Sequence, residues 1–239
     1  MKDQNFLVLV RHGQSEWNAK NLFTGWEDSD LTSLGEKEAR NAGKTLLING
    51  LSFDIAYTSL LTRAIRTLWI TLEEINQVWI PIFKNWKLNE RHYGHLTGLN
   101  KLEMEKKFSP EQVKIWRKSY HYQPQPIGNS HKFWSGLDNR YSHINKKDLP
   151  EGESLKETVV RVSNFWNDYV LPDLEKNNKV IISAHGNSIR ALLMYIENIT
   201  PEHIEELNIP RATPILLKFN KENKFISREF LYTTGEIEN

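Results

Sequence analysis

The sequence predicts an α/β protein built on parallel strands. Three observations carry that expectation. First, the apolar runs Phe6–Val10, Phe53–Tyr57 and Val180–Ala184 are short, rich in β-branched or aromatic residues and bounded by turn residues, as buried strands are. Second, stretches with helical spacing alternate with them along the chain. Third, each run stops at a cation or a histidine. Arg11-His12-Gly13 follows the first, Thr58-Ser59 and then Arg63 follow the second, and His185-Gly186-Asn187 follows the third. In open parallel sheets the ligand site lies beyond the carboxyl ends of the strands. Two histidines and two arginines far apart in sequence are therefore candidates for one pocket. The combination suits a doubly charged phosphate and a histidine able to accept it.

The elements follow in order. After the first strand, Asn18 to Asp30 is a polar loop holding Phe23-Thr24-Gly25-Trp26. Thr32 or Ser33 starts a helix that runs to about Ile48. Ser33 with Glu36 fits a capping box, and Asn49-Gly50 closes the helix. Beyond the second strand, Leu61, Ile65, Leu68 and Leu72 recur at helical spacing. Ile80-Pro81-Ile82-Phe83 reads as an edge strand, because Pro81 cannot donate to a ladder.

Residues 91–150 break the pattern. They are rich in Tyr, Trp, His, Asn and Pro, with short helical stretches such as Ser109–Val113 and an irregular Gln123-Pro-Gln-Pro126. A structure-poor insertion of that length is usually a lid or a binding loop. The α/β pattern resumes near Glu151. A helix from Ser154 to Leu171 feeds the strand at Val180. A helix from Ser188 to Ile196, capped by Asn187 or Ser188, follows. Thr200 is then a good N-cap with Pro201 in the first turn. Leu216–Asn220 and Phe230–Tyr232 are the expected final strands, and residues 234–239 are a polar tail expected to be mobile.

Composition narrows the class. The length of 239 residues suffices for one large domain with a full core. A net charge of +1 offers no overall basic field for nucleic acid or an anionic membrane. The absence of cysteine excludes disulfides, thiol catalysis and thiolate metal sites. No stretch approaches the roughly 20 apolar residues of a membrane span. The run Phe6–Val10 is too short for a signal segment, so a cytoplasmic location is expected.

His12 taken alone is compatible with an ordinary packed or surface histidine. Its position after a strand, between Arg11 and Gly13, favours chemistry, since glycine lets a ligand approach the backbone and neutral imidazole is a good nucleophile near neutral pH. Arg63 lies in the first turns of a helix, where the macrodipole disfavours a cation by about 0.3–1 kcal/mol. A bound dianion there would reverse the sign, and guanidinium forks suit phosphate oxygens. His185 repeats the strand-His-Gly pattern at a helix start that offers free amides. A metal is not expected, because zinc wants about three protein ligands and Arg11 and Arg63 would repel a divalent ion. Glu90 is the candidate proton carrier, with Arg91, His92 and Tyr93 beside it. Lys101, Arg117 and Lys118 are candidates for a second anionic group, although by themselves they also suit a solvated face.

These residues resemble a known family. Arg11-His12-Gly13-Gln14-Ser15-Glu-Trp17-Asn18 resembles the phosphohistidine motif of the histidine phosphatase superfamily. Phe23-Thr24-Gly25-Trp26, Thr58-Ser59 with Arg63-Ala64, Asn89-Glu90-Arg91-His92-Tyr93-Gly94, Lys101 and Ala184-His185-Gly186-Asn187-Ser188 resemble the cofactor-dependent phosphoglycerate mutases. The resemblance implies a doubly wound, mainly parallel sheet with helices on both faces and a long lid-like insertion. It implies that His12 is phosphorylated, that His185 stabilises the moving phosphoryl group and that Glu90 exchanges the proton. Arg11, Asn18 and Arg63 would hold the transferring phosphate. Gln14, Ser15, Thr24, Gly25, Arg91, His92, Tyr93, Lys101, Arg117, Lys118, Gly186 and Asn187 would complete the substrate site. It further implies 2,3-bisphosphoglycerate as priming donor, no metal, interconversion of 2- and 3-phosphoglycerate in glycolysis and gluconeogenesis, and a homodimer or homotetramer. Gln14, Thr97, Lys118 and the pair Arg211-Ala212 depart from the family pattern without removing a catalytic group. The competing expectations are a phosphatase on the same scaffold and an inactive phosphate-binding module.

Overall fold

The computed structural model describes residues 5–232. The predicted tail at 234–239 lies outside the described residues. In chain order the described residues form β1 (Asn5–Arg11), α1 (Glu16–Ala19), α2 (Ser33–Ile48), β2 (Ile55–Thr58), α3 (Thr62–Glu74), β3 (Ile82–Lys84), α4 (Lys101–Lys107) and α5 (Pro110–Lys118). They continue with α6 (Leu155–Phe165), α7 (Leu171–Glu175), β4 (Val180–Ala184), α8 (Gly186–Glu197), α9 (Pro201–Glu206), β5 (Ile215–Phe219) and β6 (Phe225–Phe230).

The strands make one mixed sheet in the order β3-β2-β4-β1-β5-β6. β3, β2, β4 and β1 run parallel, while β5 and β6 add antiparallel at one edge. Side chains alternate across a strand, and here both faces are buried. Leu7 and Leu9 of β1 enter one core with Val162 and Phe165 of α6 and Ile189, Leu192 and Leu193 of α8. Val8 and Val10 enter another with Ala42 and Leu46 of α2 and Leu68 and Leu72 of α3. The apolar runs were legible as strands because a doubly covered strand has no polar face.

Local chemistry moves several boundaries. Thr32, not Ser33, caps α2: its side chain accepts from the Gly35 N–H at 3.1 Å. Glu36 therefore makes no capping box and binds Arg66 instead, at 2.6 Å. α8 begins at Gly186, so His185 is itself the N-cap rather than Asn187 or Ser188. The helix from Ser154 has a capping box with Glu157 and continues through a π turn, Trp166–Val170, into α7, which carries it past Leu171. The last strand ends at Phe230, and Leu231–Tyr232 lie beyond it.

The insertion is better ordered than its composition suggests. Besides α4 and α5 it contributes to two small cores, one of Phe23, Tyr93, Leu96, Val113 and Trp116, the other of Trp26, Ile127, Trp134, Tyr141 and Leu149. Both draw on the loop before α2, which ties the insertion to the end of β1. No helix among the described residues is long and apolar enough to cross a membrane.

Candidate active site

Sheet register assembles the site. Arg11 at the end of β1 pairs with Ala184 at the end of β4, and Thr58 of β2 pairs with Ser183. The residues that follow, His12, Ser59 and His185, therefore leave the sheet side by side. The His12 N–H donates to the Ala184 carbonyl at 3.0 Å, which extends the ladder one residue beyond β1.

The two imidazoles meet edge to face, with ring centres 5.0 Å apart at 60°. His12 Nδ1–H donates to the Gly13 carbonyl at 2.7 Å, since a carbonyl can only accept. That bond places the proton on Nδ1 and leaves Nε2 with its lone pair. His185 Nε2 is 2.8 Å from Ser59 Oγ, while its Nδ1 is buried without a protein partner. Burial, then Arg63 and Arg11, holds the His12 pKa well below 6.5. Burial, then Arg63 and His12, does the same to His185. Both rings are thus neutral near neutral pH.

Arg63 is 1 % exposed and turns away from its helix, donating to the carbonyls of Gly25 at 2.8 Å and Glu27 at 2.9 Å. The loop at Phe23–Trp26 thereby orients the guanidinium, whose pKa burial lowers to about 10. Arg11 donates to the Ile209 carbonyl at 2.6 Å, and its buried Nε has no partner. Glu90 Oε1 accepts from the N–H groups of Arg91, at 2.8 Å, and Asn187, at 3.1 Å. It therefore sits at the positive N-terminal end of α8.

These groups face a cavity of about 120 Å³. Its walls include Arg11, His12, Asn18, Thr24, Gly25, Arg63, Glu90, Tyr93, Lys101, Arg117, Lys118, Gly186 and Asn187, all expected from sequence. Lys101 is pinned by the Leu22 carbonyl at 2.5 Å, and burial followed by Arg117 lowers its pKa to about 8. Burial and then Arg190 also lower that of Lys118. His185 lies fully buried beneath the cavity.

Four expected ligand residues stand behind the wall. The Gln14 amide oxygen accepts from Thr32 Oγ1 at 2.9 Å, and Ser15 caps α1 through the Asn18 N–H. They shape the turn after His12. His92 is 1 % exposed, accepts from the Gly94 N–H at 3.0 Å and has its pKa lowered by burial to about 3. Arg91 is fully buried, donates to the Trp116 carbonyl and stacks 4.8 Å from the Tyr93 ring centre. Ser15 and Arg91 touch residues that do line it, Asn18 and Tyr93.

Arg190 lines the cavity and was not anticipated. It donates to the Asn187 side chain and to the Arg117 carbonyl, its Nη1 is buried without a partner, and burial lowers its pKa to about 10. Its spacing from Asn187 in a helix places both on one face, and that was the signal available. Ser59, noted at a strand end and in the family motif but given no role, anchors His185. Among the described residues no group of three or more His, Cys, Asp or Glu could hold a metal ion.

The histidine phosphatase superfamily (branch 1) profile matches residues 7–134 and 129–230. Among solved structures, the chain resembles the mycobacterial glucosyl-3-phosphoglycerate phosphatase in complex with VO3, with TM-score 0.71 and 21% identity over 95% of this chain and 98% of that one. It also resembles the alpha-ribazole phosphatase from Shigella flexneri, with TM-score 0.69 and 20% identity over 98% and 100%. A Bacillus stearothermophilus protein aligns with TM-score 0.70 and 20% identity over 98% of each chain.

Proposed function

The chain belongs to branch 1 of the histidine phosphatase superfamily, and from that premise we propose that it moves a phosphoryl group through a phosphohistidine at His12, acting as a phosphoglycerate mutase. The observation that carries the finer reading is the charge of the cavity wall. Arg11, Arg63, Lys101, Arg117, Lys118 and Arg190 face a single carboxylate, Glu90. One phosphate dianion beside Arg11 and Arg63 leaves four cations over. A substrate that adds a carboxylate to its phosphate suits them.

In this reading the phosphorylated His12 passes its group to the free hydroxyl of 3-phosphoglycerate, whose proton Glu90 takes. His12 Nε2 then attacks the phosphorus on the other oxygen, which leaves with that proton and restores the phosphohistidine. Arg11 and Arg63 offset the charge on the moving group, which is the main demand of phosphoryl transfer. Ser59 Oγ already accepts from the Leu61 N–H at 3.1 Å, so its own hydrogen is available to His185 Nε2. His185 then carries its proton on the unpartnered Nδ1, ready for a phosphoryl oxygen. The surplus cations also fit 2,3-bisphosphoglycerate, which Arg11, Arg63, Lys101, Arg117 and Lys118 would hold. When bound, it supplies the phosphoryl group that charges His12.

The second reading is a phosphatase, in which water takes the phosphoryl group from His12. The solved neighbours named above as phosphatases favour it. The length of the insertion does not separate the readings, because those phosphatases align over nearly the whole of both chains. The choice rests on the cations. The test incubates the protein with 3-phosphoglycerate, with and without 2,3-bisphosphoglycerate. The mutase reading expects 2-phosphoglycerate, with formation stimulated by the bisphosphate. Release of inorganic phosphate as the main product supports the phosphatase instead. An acid-labile label at His12 separates both from an inactive binding module.

A further inference from the structure

Glu90 lies in a segment without regular strand or helix pairing. Residues 86–92 leave β3 through a single 3-10 turn, 86–88, and enter the insertion. Such backbone needs partners for its polar groups. One side chain serves four of its carbonyls. Arg161, from α6, donates through Nη1 to the carbonyls of Lys87 at 2.7 Å, Asn89 at 3.2 Å and Trp86 at 3.3 Å, and through Nη2 to that of Glu90 at 3.4 Å. Trp26 Nε1–H donates to the same Glu90 carbonyl at 2.6 Å.

The guanidinium is held in turn. Glu153 receives it bidentately, from Nε at 2.7 Å and Nη2 at 2.8 Å. The Glu153 carboxylate also accepts from the His92 N–H at 2.8 Å, and the Glu153 N–H donates to the His92 carbonyl at 2.8 Å. Trp26 and Trp86 place ring centres 5.7 Å and 6.0 Å from the guanidinium carbon. Arg161 and Glu153 are 7 % and 4 % exposed, and neither lines the cavity. Burying an ion pair is a poor route to stability, because desolvation offsets the attraction. Geometry is what this pair supplies: both ends hold the backbone on either side of Glu90.

We propose that Arg161, locked by Glu153, is a positioning residue that sets the Glu90 carboxylate for proton transfer. The inference rests on the reading of Glu90 as the proton carrier. Arg161→Lys tests it, because an ammonium keeps the charge opposite Glu153 but lacks the planar fork that reaches several carbonyls at once. The measurement compares phosphoryl transfer from 3-phosphoglycerate, whose alkoxide must be protonated as it leaves, with transfer from p-nitrophenyl phosphate, whose leaving group needs no proton. The expected result is a fall in kcat of about tenfold or more for 3-phosphoglycerate, with KM within about threefold and the aryl ester within about threefold. Equal losses for both donors, no loss for either, or a rise in KM alone would overturn the proposal. Trp26→Phe removes the indole donor to the Glu90 carbonyl while keeping a ring. It should give the same selective loss, and it decides the matter if Arg161→Lys does not fold. Glu90→Gln is measured in parallel. If it spares transfer from 3-phosphoglycerate, the proton-carrier reading itself fails. If it abolishes that transfer selectively and the other two variants do not, only the positioning role is lost.

Discussion

His12 and His185 follow neighbouring parallel strands and stand edge to face, yet their ring nitrogens meet different partners. The Gly13 carbonyl fixes the His12 tautomer, and Ser59 faces the opposite nitrogen on His185. The pair shares one electrostatic environment, dominated by burial and by Arg63 and Arg11. Two like rings are thereby differentiated, one with an exposed lone pair and one with an unpartnered nitrogen beneath the cavity.

That environment predicts a pH dependence of stability. His12, His92 and His185 are all held neutral in the fold, with pKa values below the ordinary 6.5. A group whose pKa is lowered on folding takes up its proton more readily when unfolded. Stability is therefore lost as pH falls below about 6.5, by up to about 1.4 kcal/mol per pH unit for each histidine. For His92 the window runs down to about pH 3. Unfolding midpoints measured from pH 8 to pH 5 should be level at first and then decline. A midpoint that rises on acidification would contradict the assignment.

Arg63→Lys should weaken phosphate binding without abolishing the fold. The guanidinium spends bonds on the Gly25 and Glu27 carbonyls and still offers charge to the cavity, whereas a lysine has neither the reach nor the fork. We expect inhibition by inorganic phosphate to weaken by about tenfold, in line with the loss of one charge-assisted hydrogen bond. Unchanged inhibition would place the phosphate elsewhere.

Gly35→Ala should act against helix propensity. In the interior of an exposed helix this change usually stabilises by about 1 kcal/mol. Here an added Cβ would meet the Gln14 carbonyl oxygen at 2.1 Å, and one on Gly13 would meet the Gly35 carbonyl oxygen at 2.3 Å. The start of α2 rests directly on the turn that follows His12. The variant should lose about 1–3 kcal/mol and lower turnover, although Gly35 does not line the cavity. Denaturant titration and initial rates check both, and a stabilised, fully active variant would refute the contact.

Ala212→Gly should stabilise. Ala212 adopts φ 46°, in the left-handed region, while its N–H donates to the Arg11 carbonyl at 2.8 Å. The conformation costs a residue with a Cβ about 1–2 kcal/mol, and the added freedom of glycine in the unfolded chain returns about 0.4–1 kcal/mol of that. A net gain of between zero and about 1.6 kcal/mol, or up to roughly 6 °C in Tm, is expected. The family resemblance marked this pair as a departure, and the backbone supplies the physical meaning.

The strands other than β6, the helices of the two outer layers and the pairing of His12 with His185 were legible in the sequence; β6 was expected at Phe230–Tyr232 and lies at Phe225–Phe230. Doubly buried strands read as continuous apolar runs, and β4 falls on the predicted residues 180–184. Cap choice was less legible. Thr32 and Ser33 have equal chemistry, and only the path of the incoming chain decides which hydroxyl reaches a free N–H. The insertion was misread as structure-poor because its aromatic residues carry no period. Their cores form with the distant Phe23 and Trp26 rather than within one element.

By itself, then, the sequence determined the layered α/β architecture and pointed to His12 as the candidate nucleophile, since periodicity and a strand-His-Gly turn are local properties. The tertiary structure alone decided which charged side chains face the cavity. Ser15, Arg91 and His92 carry the right chemistry but turn inward to satisfy backbone groups, and Gln14 accepts from the Thr32 hydroxyl, whereas Arg190 turns into the cavity. It alone decided, too, that Arg161 and Glu153 brace the segment bearing Glu90. Long polar side chains go where unpaired donors and acceptors are, and those positions exist only after the chain has folded.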